Sequence, residues 1–316
     1  MEIEDVARIV WKDCIGAKPA EKAIIVSDAA RPSDPRYRIS RVLWETGRGF
    51  CKDCAIIMMK KTGMHGREPP ADVADAMLGA DIVIAPTEHS ITHTEAAANA
   101  AERGARIATM PGITEGIFMR AVPLDYKKLD AVCGALKGVL ADGRRITVTT
   151  GKGTDMSMEI VKGRKVCNGN GILKPGKIKN LPDGEVSIAP KEGSANGVAV
   201  FDLSSMDKKL KKPFRVVVKD GFAVGCGNRA LWKAISAVKA GTNMAELGIG
   251  TNPKARITGS ILEDEKVLGT AHIAFGTNKD LGGTVQTSVH LDSVFARPTI
   301  EVDGRVIVSR GRFLFL

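Results

Sequence analysis

The chain reads as an α/β protein: an N-terminal, mostly parallel sheet with flanking helices over residues 1–150, then a C-terminal α+β domain with a metal site over 151–316. Three observations predict this. In the first half, short continuous apolar runs alternate with helical segments, the pattern of strands covered on both faces. Past Thr150 the chain becomes rich in glycine and in short β-like runs separated by turns. Near its end, two of only five histidines fall among glycines and β-formers, in His272-Ile273-Ala274-Phe275-Gly276 and His290-Leu291-Asp292.

The elements follow in order. Lys22 to Asp28 is apolar at Ala23, Ile24, Ile25 and Val26 and predicts the first buried strand. Asp34 to Trp44 predicts a helix and Ala55 to Met59 a second strand. Pro70 to Leu78 is a short helix stopped at Gly79, and Asp81 to Pro86 a third strand. Thr94 to Arg103 is an alanine-rich helix stopped by Gly104, and Ala105 to Met110 a fourth strand. Asp125 to Leu140 is the clearest helix, because Leu129, Val132, Cys133, Leu136, Val139 and Leu140 share one face. Arg145 to Thr149 closes the series. Ligands of such sheets bind beyond the carboxyl ends of the strands, which here carry Asp28, Thr87 to Thr94, and Met110 to Glu115. No G-x-G-x-x-G follows the first strand, so a dinucleotide site is not expected. In the second half, Asn228 to Lys239 predicts one helix, with Asn228 as N-cap, Leu231, Ile235 and Val238 as its apolar face and Gly241 at its end. Gly184 to Ile188 and Arg215 to Val218 are β-like, and the chain closes on the apolar run Arg312 to Leu316.

Bulk properties narrow the function. A composition of 44% hydrophobic and 26% charged residues is that of a globular protein, and no apolar run approaches the ~20 residues that span a bilayer. The start, Met1-Glu2-Ile3-Glu4-Asp5, lacks a signal-peptide pattern, so a cytoplasmic location with no membrane partner is expected. The net charge of +10 comes from dispersed lysines and arginines; the densest run, Lys208-Lys209-Leu210-Lys211-Lys212, reads as a solvated loop. With 4% aromatic residues there is no base-stacking platform, so nucleic acid is not an expected partner, whereas a basic surface attracts anionic small molecules. Cys51-x-x-Cys54 has no second such pair to complete a zinc site and reads as two incidental thiols.

His272, His290 and Asp292 are the residues that point to chemistry. Imidazole plus carboxylate is a ligand set for first-row metals, and two histidines with one carboxylate leave open positions. In a strand, residues i and i+2 face the same way, so His290 and Asp292 can reach one ion together. A His-x-Asp pair by itself is equally at home as a plain surface or core pair. Glu185 and Glu246 stand out by context rather than spacing; each reads as lying in or beside a turn, where a lone glutamate is ordinarily solvated.

Four blocks then occur in order: Asn180-Leu181-Pro182-Asp183-Gly184-Glu185-Val186, Ala245-Glu246-Leu247-Gly248-Ile249-Gly250-Thr251-Asn252-Pro253, His272-Ile273-Ala274-Phe275-Gly276 and His290-Leu291-Asp292. Together they resemble the aminopeptidase T family (leucyl aminopeptidase, the M29 thermophilic metallopeptidases) and the related 2,5-dihydroxypyridine 5,6-dioxygenases. The likeness runs over residues 145–295 and extends to Thr87–Glu115. The peptidase resemblance implies two divalent ions (Zn, Co or Mn) held by Glu185, Glu246, His272, His290 and Asp292, and a hydrolase that removes N-terminal residues from small peptides with metal-activated water. Two such ions ~3.5–4 Å apart share a hydroxide and polarise the carbonyl. The dioxygenase resemblance implies one Fe(II) on His272, His290 and Asp292, leaving positions for O₂ and a hydroxylated pyridine or catechol-like ring, with the glutamates outside the ligand set. A third reading is a non-catalytic protein that binds an anionic ligand.

The peptidase pattern is not complete. Where those enzymes carry a tyrosine seven residues after the first metal histidine, this chain has Lys279, and the interval from His272 to His290 is compressed. Lys279 is either solvated or a contact for an anionic substrate group. Glu265 is the nearest candidate for a catalytic base, against the alternative that Glu263-Asp264-Glu265 is a surface acidic run. His89 and His93, at a predicted strand end, are candidates for substrate binding or plain neighbours of a helix start; Ser90-Ile91-Thr92 between them offers no glutamate, so no zinc-peptidase helix is expected. The resemblance also implies a homodimer.

Overall fold

The computed structural model describes residues 1–314; Phe315 and Leu316, the end of the terminal apolar run, lie outside the described residues. The chain forms two compact units, each assembled from two segments: Met1–Lys127 with Gly171–Asp183, and Lys128–Asn170 with Gly184–Leu316.

The first unit is built on a five-stranded parallel sheet in the order Asp53–Met58, Lys22–Ser27, Ile82–Ala85, Arg106–Thr109, Ile178–Asn180. The strands Ile82–Ala85 and Arg106–Thr109 are buried at every position, the first as its unbroken apolar run requires and the second with Arg106 donating to the Ile15 and Gly16 carbonyls. The intervening helices begin where side chains satisfy their free N–H groups. Asp34 accepts from the Arg36 N–H ahead of Pro35–Gly47, and Thr94 from the Ala97 N–H ahead of Glu95–Glu102. Ala96, Ala97, Ala100 and Ala101 of the second helix pack with Val83, Ala85 and Ile107 in one buried cluster.

The fifth parallel strand is not the expected one. Arg145–Thr149 belongs to the second unit, where it pairs antiparallel with Asp155–Glu159 and Thr299–Val302. Its burial alternates along the chain, which suits one covered face rather than two. The fifth position is taken by Ile178–Asn180, three half-buried residues with no apolar run to announce them. The division expected near residue 150 therefore falls inside the second unit, and the chain re-enters the first unit over Gly171–Asp183.

The second unit holds two antiparallel sheets. Eight strands run in the order Phe222–Cys226, Phe214–Lys219, Asn196–Phe201, Asp155–Glu159, Arg145–Thr149, Thr299–Val302, Arg305–Ser309, Arg312–Phe313. Seven run in the order Lys208–Lys209, Ser204–Ser205, His290–Ala296, Thr270–Gly276, Met244–Gly250, Glu185–Ile188, Val166–Gly169. The helix Arg229–Ser236 starts at Asn228, whose side chain accepts from the Ala230 and Leu231 N–H groups, and it buries Leu231 and Ile235. Lys208, Lys209, Lys211 and Lys212 are all exposed, as expected, although Lys208–Lys209 form an edge strand rather than a loop. Burial pushes the Cys51 thiol up to about 11 and Cys54 up to about 12, away from the reactive thiolate. Among the described residues no helix is long and apolar enough to cross a membrane.

Candidate metal centre

The register of the seven-stranded sheet assembles the site. Directly opposed residues of antiparallel strands present their side chains on the same face. Gly250 opposes Glu185 and Gly248 opposes His272; Glu246 opposes Ala274, which opposes Asp292, and Gly276 opposes His290. Because Glu246, Gly248 and Gly250 alternate along one strand and His272, Ala274 and Gly276 along the next, all five expected ligands project from one face. Small residues at Gly248, Gly250, Ala274 and Gly276 leave the room above that face to the functional side chains. Gly248 shows this directly: a Cβ there would stand 2.0 Å from His272 Nε2, so the imidazole lies over bare backbone.

Glu246 is not at a turn, as expected from its context, but in the buried central strand Met244–Gly250; Glu185 opens the strand Glu185–Ile188. Glu246 bridges the two histidines, with Oε2 2.8 Å from His290 Nε2 and Oε1 3.8 Å from His272 Nε2. His290 Nε2 is 3.7 Å from Asp292 Oδ1, and His272 Nε2 is 3.3 Å from Glu185 Oε2. His290 Nδ1 lies 2.9 Å from the Thr277 carbonyl oxygen. A carbonyl only accepts, so Nδ1 carries the proton and donates, which leaves Nε2 facing the carboxylates as the atom available to a metal.

Two donor groups have metal-ligand spacing, Glu246 with His290 and Asp292, and Glu185 with Glu265 and His272. In each, the ligand atoms lie within 4.8 Å of one another. Electrostatics says the same. Burial opposes charge on both imidazoles, yet the carboxylates around them outweigh it: His272 is raised to about 9, chiefly by Glu246, and His290 to about 10, by Asp292 and Glu246. Burial likewise opposes the charge on Glu246, but the two histidines hold its carboxyl well below the usual carboxylate range. Glu185 is pushed up to about 7 by burial, against the pull of Lys266. Glu185 Oε2 is buried and accepts no hydrogen bond. A buried array of carboxylates and imidazoles with an orphaned oxygen is the environment a divalent cation relieves, so the residues fit a metal ion.

The other expected residues fall as follows. Glu265 joins the second donor group but is not on a surface run: Glu263 and Asp264 are fully buried and Glu265 nearly so. Their carboxylates serve the preceding loop, with Glu263 accepting from the Arg256 N–H and Asp264 from the N–H groups of Thr258 and Gly259. Lys279 is exposed in the short helix Lys279–Leu281. His89 and His93 belong to the first unit. His89 is half-buried, its ring edge-on to His65 at 5.3 Å between centroids, while His93 is exposed. Sequence reasoning passed over Lys266. Its side chain is 1% exposed and its Nζ lies 2.6 Å from Glu185 Oε1 and against Glu265 Oε1. The one signal for it was a lone cation directly after three carboxylates and just ahead of the His272 strand.

The fold and the donor set together define a two-unit α/β protein with a carboxylate–histidine centre of the kind metalloenzymes use. The model of the 2,5-dihydroxypyridine 5,6-dioxygenase (NicX) family matches residues 55–315, and the chain belongs to that family of enzymes. Among solved structures, it is similar to the 2,5-dihydroxypyridine dioxygenase from Pseudomonas putida KT2440, with a TM-score of 0.82 and 18% identity over 99% of this chain and 97% of that one. It is also similar to wild-type AmpT from Thermus thermophilus, with a TM-score of 0.74 and 15% identity over 99% of this chain and 98% of that one. At these identities the likeness is one of fold. No curated protein sequence matches the chain.

Proposed function

We propose that the protein is a ring-cleaving dioxygenase dependent on one Fe(II), acting on a hydroxylated pyridine or a catechol-like ring, with His272, His290 and Asp292 as the ligands. The observation that carries this reading is the family match over residues 55–315, which spans every member of the metal cluster. Two imidazoles and one carboxylate leave sites for a chelating ring, and the ion, when bound, supplies the activation of dioxygen. The chain's own residues do the rest. Thr277 fixes the His290 tautomer, and burial of His272 keeps water from one side of the centre. Glu246 sits against both histidines, placed to take a proton from a ring hydroxyl. The half-buried His290 and Asp292 form the edge open to substrate.

The test is anaerobic reconstitution with Fe(II) and addition of air-saturated 2,5-dihydroxypyridine or a catechol. Equimolar loss of O₂ and of the ring's absorbance is expected, abolished by Asp292→Ala. Absence of O₂ uptake on every such ring, with peptide hydrolysis by the Mn or Zn protein, overturns it. That outcome is the second reading, a two-metal aminopeptidase, favoured by the placing of Glu185 and Glu246 on the same sheet face as the three ligands. The two readings differ in metal count.

A further inference from the structure

The following rests on the single-ion reading. Glu185, Glu265 and His272 bring ligand atoms within 4.8 Å of one another; with His272 serving the single ion, Glu185 and Glu265 remain as two adjacent buried carboxylates able to draw in a second cation. That space already has a positive charge next to it. Lys266 is almost wholly buried, and its Nζ bonds both Glu185 Oε1, at 2.6 Å, and Glu265 Oε1. We propose that the Lys266 ammonium is a built-in cation that takes the place of a second metal ion between Glu185 and Glu265 and so limits the centre to one ion.

Three features support this. An ammonium donates up to three hydrogen bonds and carries one charge, so it satisfies the two carboxylates that would otherwise draw in a divalent ion. Its backbone cannot readily withdraw, because the Asn252 N–H donates to the Lys266 carbonyl at 2.8 Å and the Leu268 N–H to the Asn252 carbonyl at 3.0 Å. Gly250, opposite Glu185, closes against the same turn: a Cβ there would stand 2.1 Å from the Val267 oxygen, so strand and turn are in backbone contact. An ion held by Glu185 and Glu265 with the ammonium still on them would be a second cation in a site of low dielectric, where like charges repel strongly. Lys266 is thus a positioning residue: it holds the two glutamates and sets metal stoichiometry.

The experiment is a titration of metal-stripped protein with Mn²⁺, read as bound ions per chain after desalting and as exchange coupling in the Mn(II) electron paramagnetic resonance spectrum. The wild type takes one uncoupled ion. Lys266→Met, which keeps the side chain's bulk and removes its charge, takes two coupled ions, and Lys266→Arg, which keeps the charge, takes one. If the wild type takes two ions, both the proposal and the single-ion reading fall. If the wild type and Lys266→Met each take one, the proposal falls and the single-ion reading stands. Should Lys266→Met unfold when stripped, Mn²⁺ restores its fold, since the ion replaces the missing charge; unfolding that Mn²⁺ does not reverse overturns the proposal.

Discussion

Two groups of carboxylates flank His272 and receive their positive charge in different ways. Around Glu246, His290 and Asp292 the partners are imidazoles, which hold a proton or give it up to a metal. Around Glu185 and Glu265 the partner is Lys266, whose charge is fixed to the chain. On the single-ion reading proposed above, the first group, with His272, is the exchangeable site and the second is neutralised by the chain itself. His272 stands between them, 3.8 Å from Glu246 and 3.3 Å from Glu185. The lesson is that five residues matching a two-metal pattern do not by themselves define two metal sites, because a neighbouring cation such as Lys266 competes for the same carboxylates.

Substitutions that break the exchangeable group should have the largest effect. His290→Ala or Asp292→Ala removes a ligand and should cost more metal affinity than the ~10–100-fold that loss of an outer partner costs, with ring-cleaving activity lost in step. Equilibrium metal titration and O₂ uptake check this, and unchanged affinity in either variant would remove the residue from the ligand set.

Breaking the chain-neutralised group should show as stability first. Lys266→Met leaves two buried carboxylates uncompensated, so metal-free protein should lose about 3–5 kcal/mol in urea unfolding. A loss below 1 kcal/mol would mean that the ammonium is not neutralising them. Gly248→Ala acts on the residue between the groups. Its methyl meets the His272 ring, so the ring must move, at a cost of about 1–3 kcal/mol together with weaker metal binding. Thermal unfolding with and without metal separates the two losses.

The smallest and most graded effect is on pH. His272, raised to about 9, and His290, raised to about 10, stand above the ordinary 6.5. Their contribution to stability is complete below pH 6.5 and is lost as the pH rises through those values. Glu185, raised to about 7 from 4.5, acts in the same direction at lower pH. The metal-free unfolding midpoint should therefore fall from neutral pH toward pH 10, and metal-loaded protein, with the ion in place of the protons, should fall less. Equal slopes with and without metal would show that the protons and the ion do not compete for the same atoms.

Much of this was legible in the sequence where the signal is local. Continuous apolar runs such as Ala23–Val26 and Ile82–Ala85 suit strands buried on both faces, which led directly to the parallel sheet. Side-chain oxygens at Asp34, Thr94 and Asn228 marked helix starts because free N–H groups need acceptors. His290 and Asp292 share a face because the strand period is two. Ile178–Asn180 carries no signal because three residues show no periodicity, and the surface reading of Glu263-Asp264-Glu265 fails because charge, which normally means solvent, is here buried and paired.

The sequence by itself thus determined the layered α/β class of the first unit and singled out His272, His290 and Asp292 as candidate donors, since both follow from residue type and spacing within a segment. Only the tertiary structure decided that Glu185, Glu246, His272 and Asp292 meet on one face and that Lys266 stands among the glutamates. The sheet neighbours are set by strand register between residues as far apart in the chain as Glu185 and Glu246, and register is a property of the packed sheet, not of any one strand's sequence.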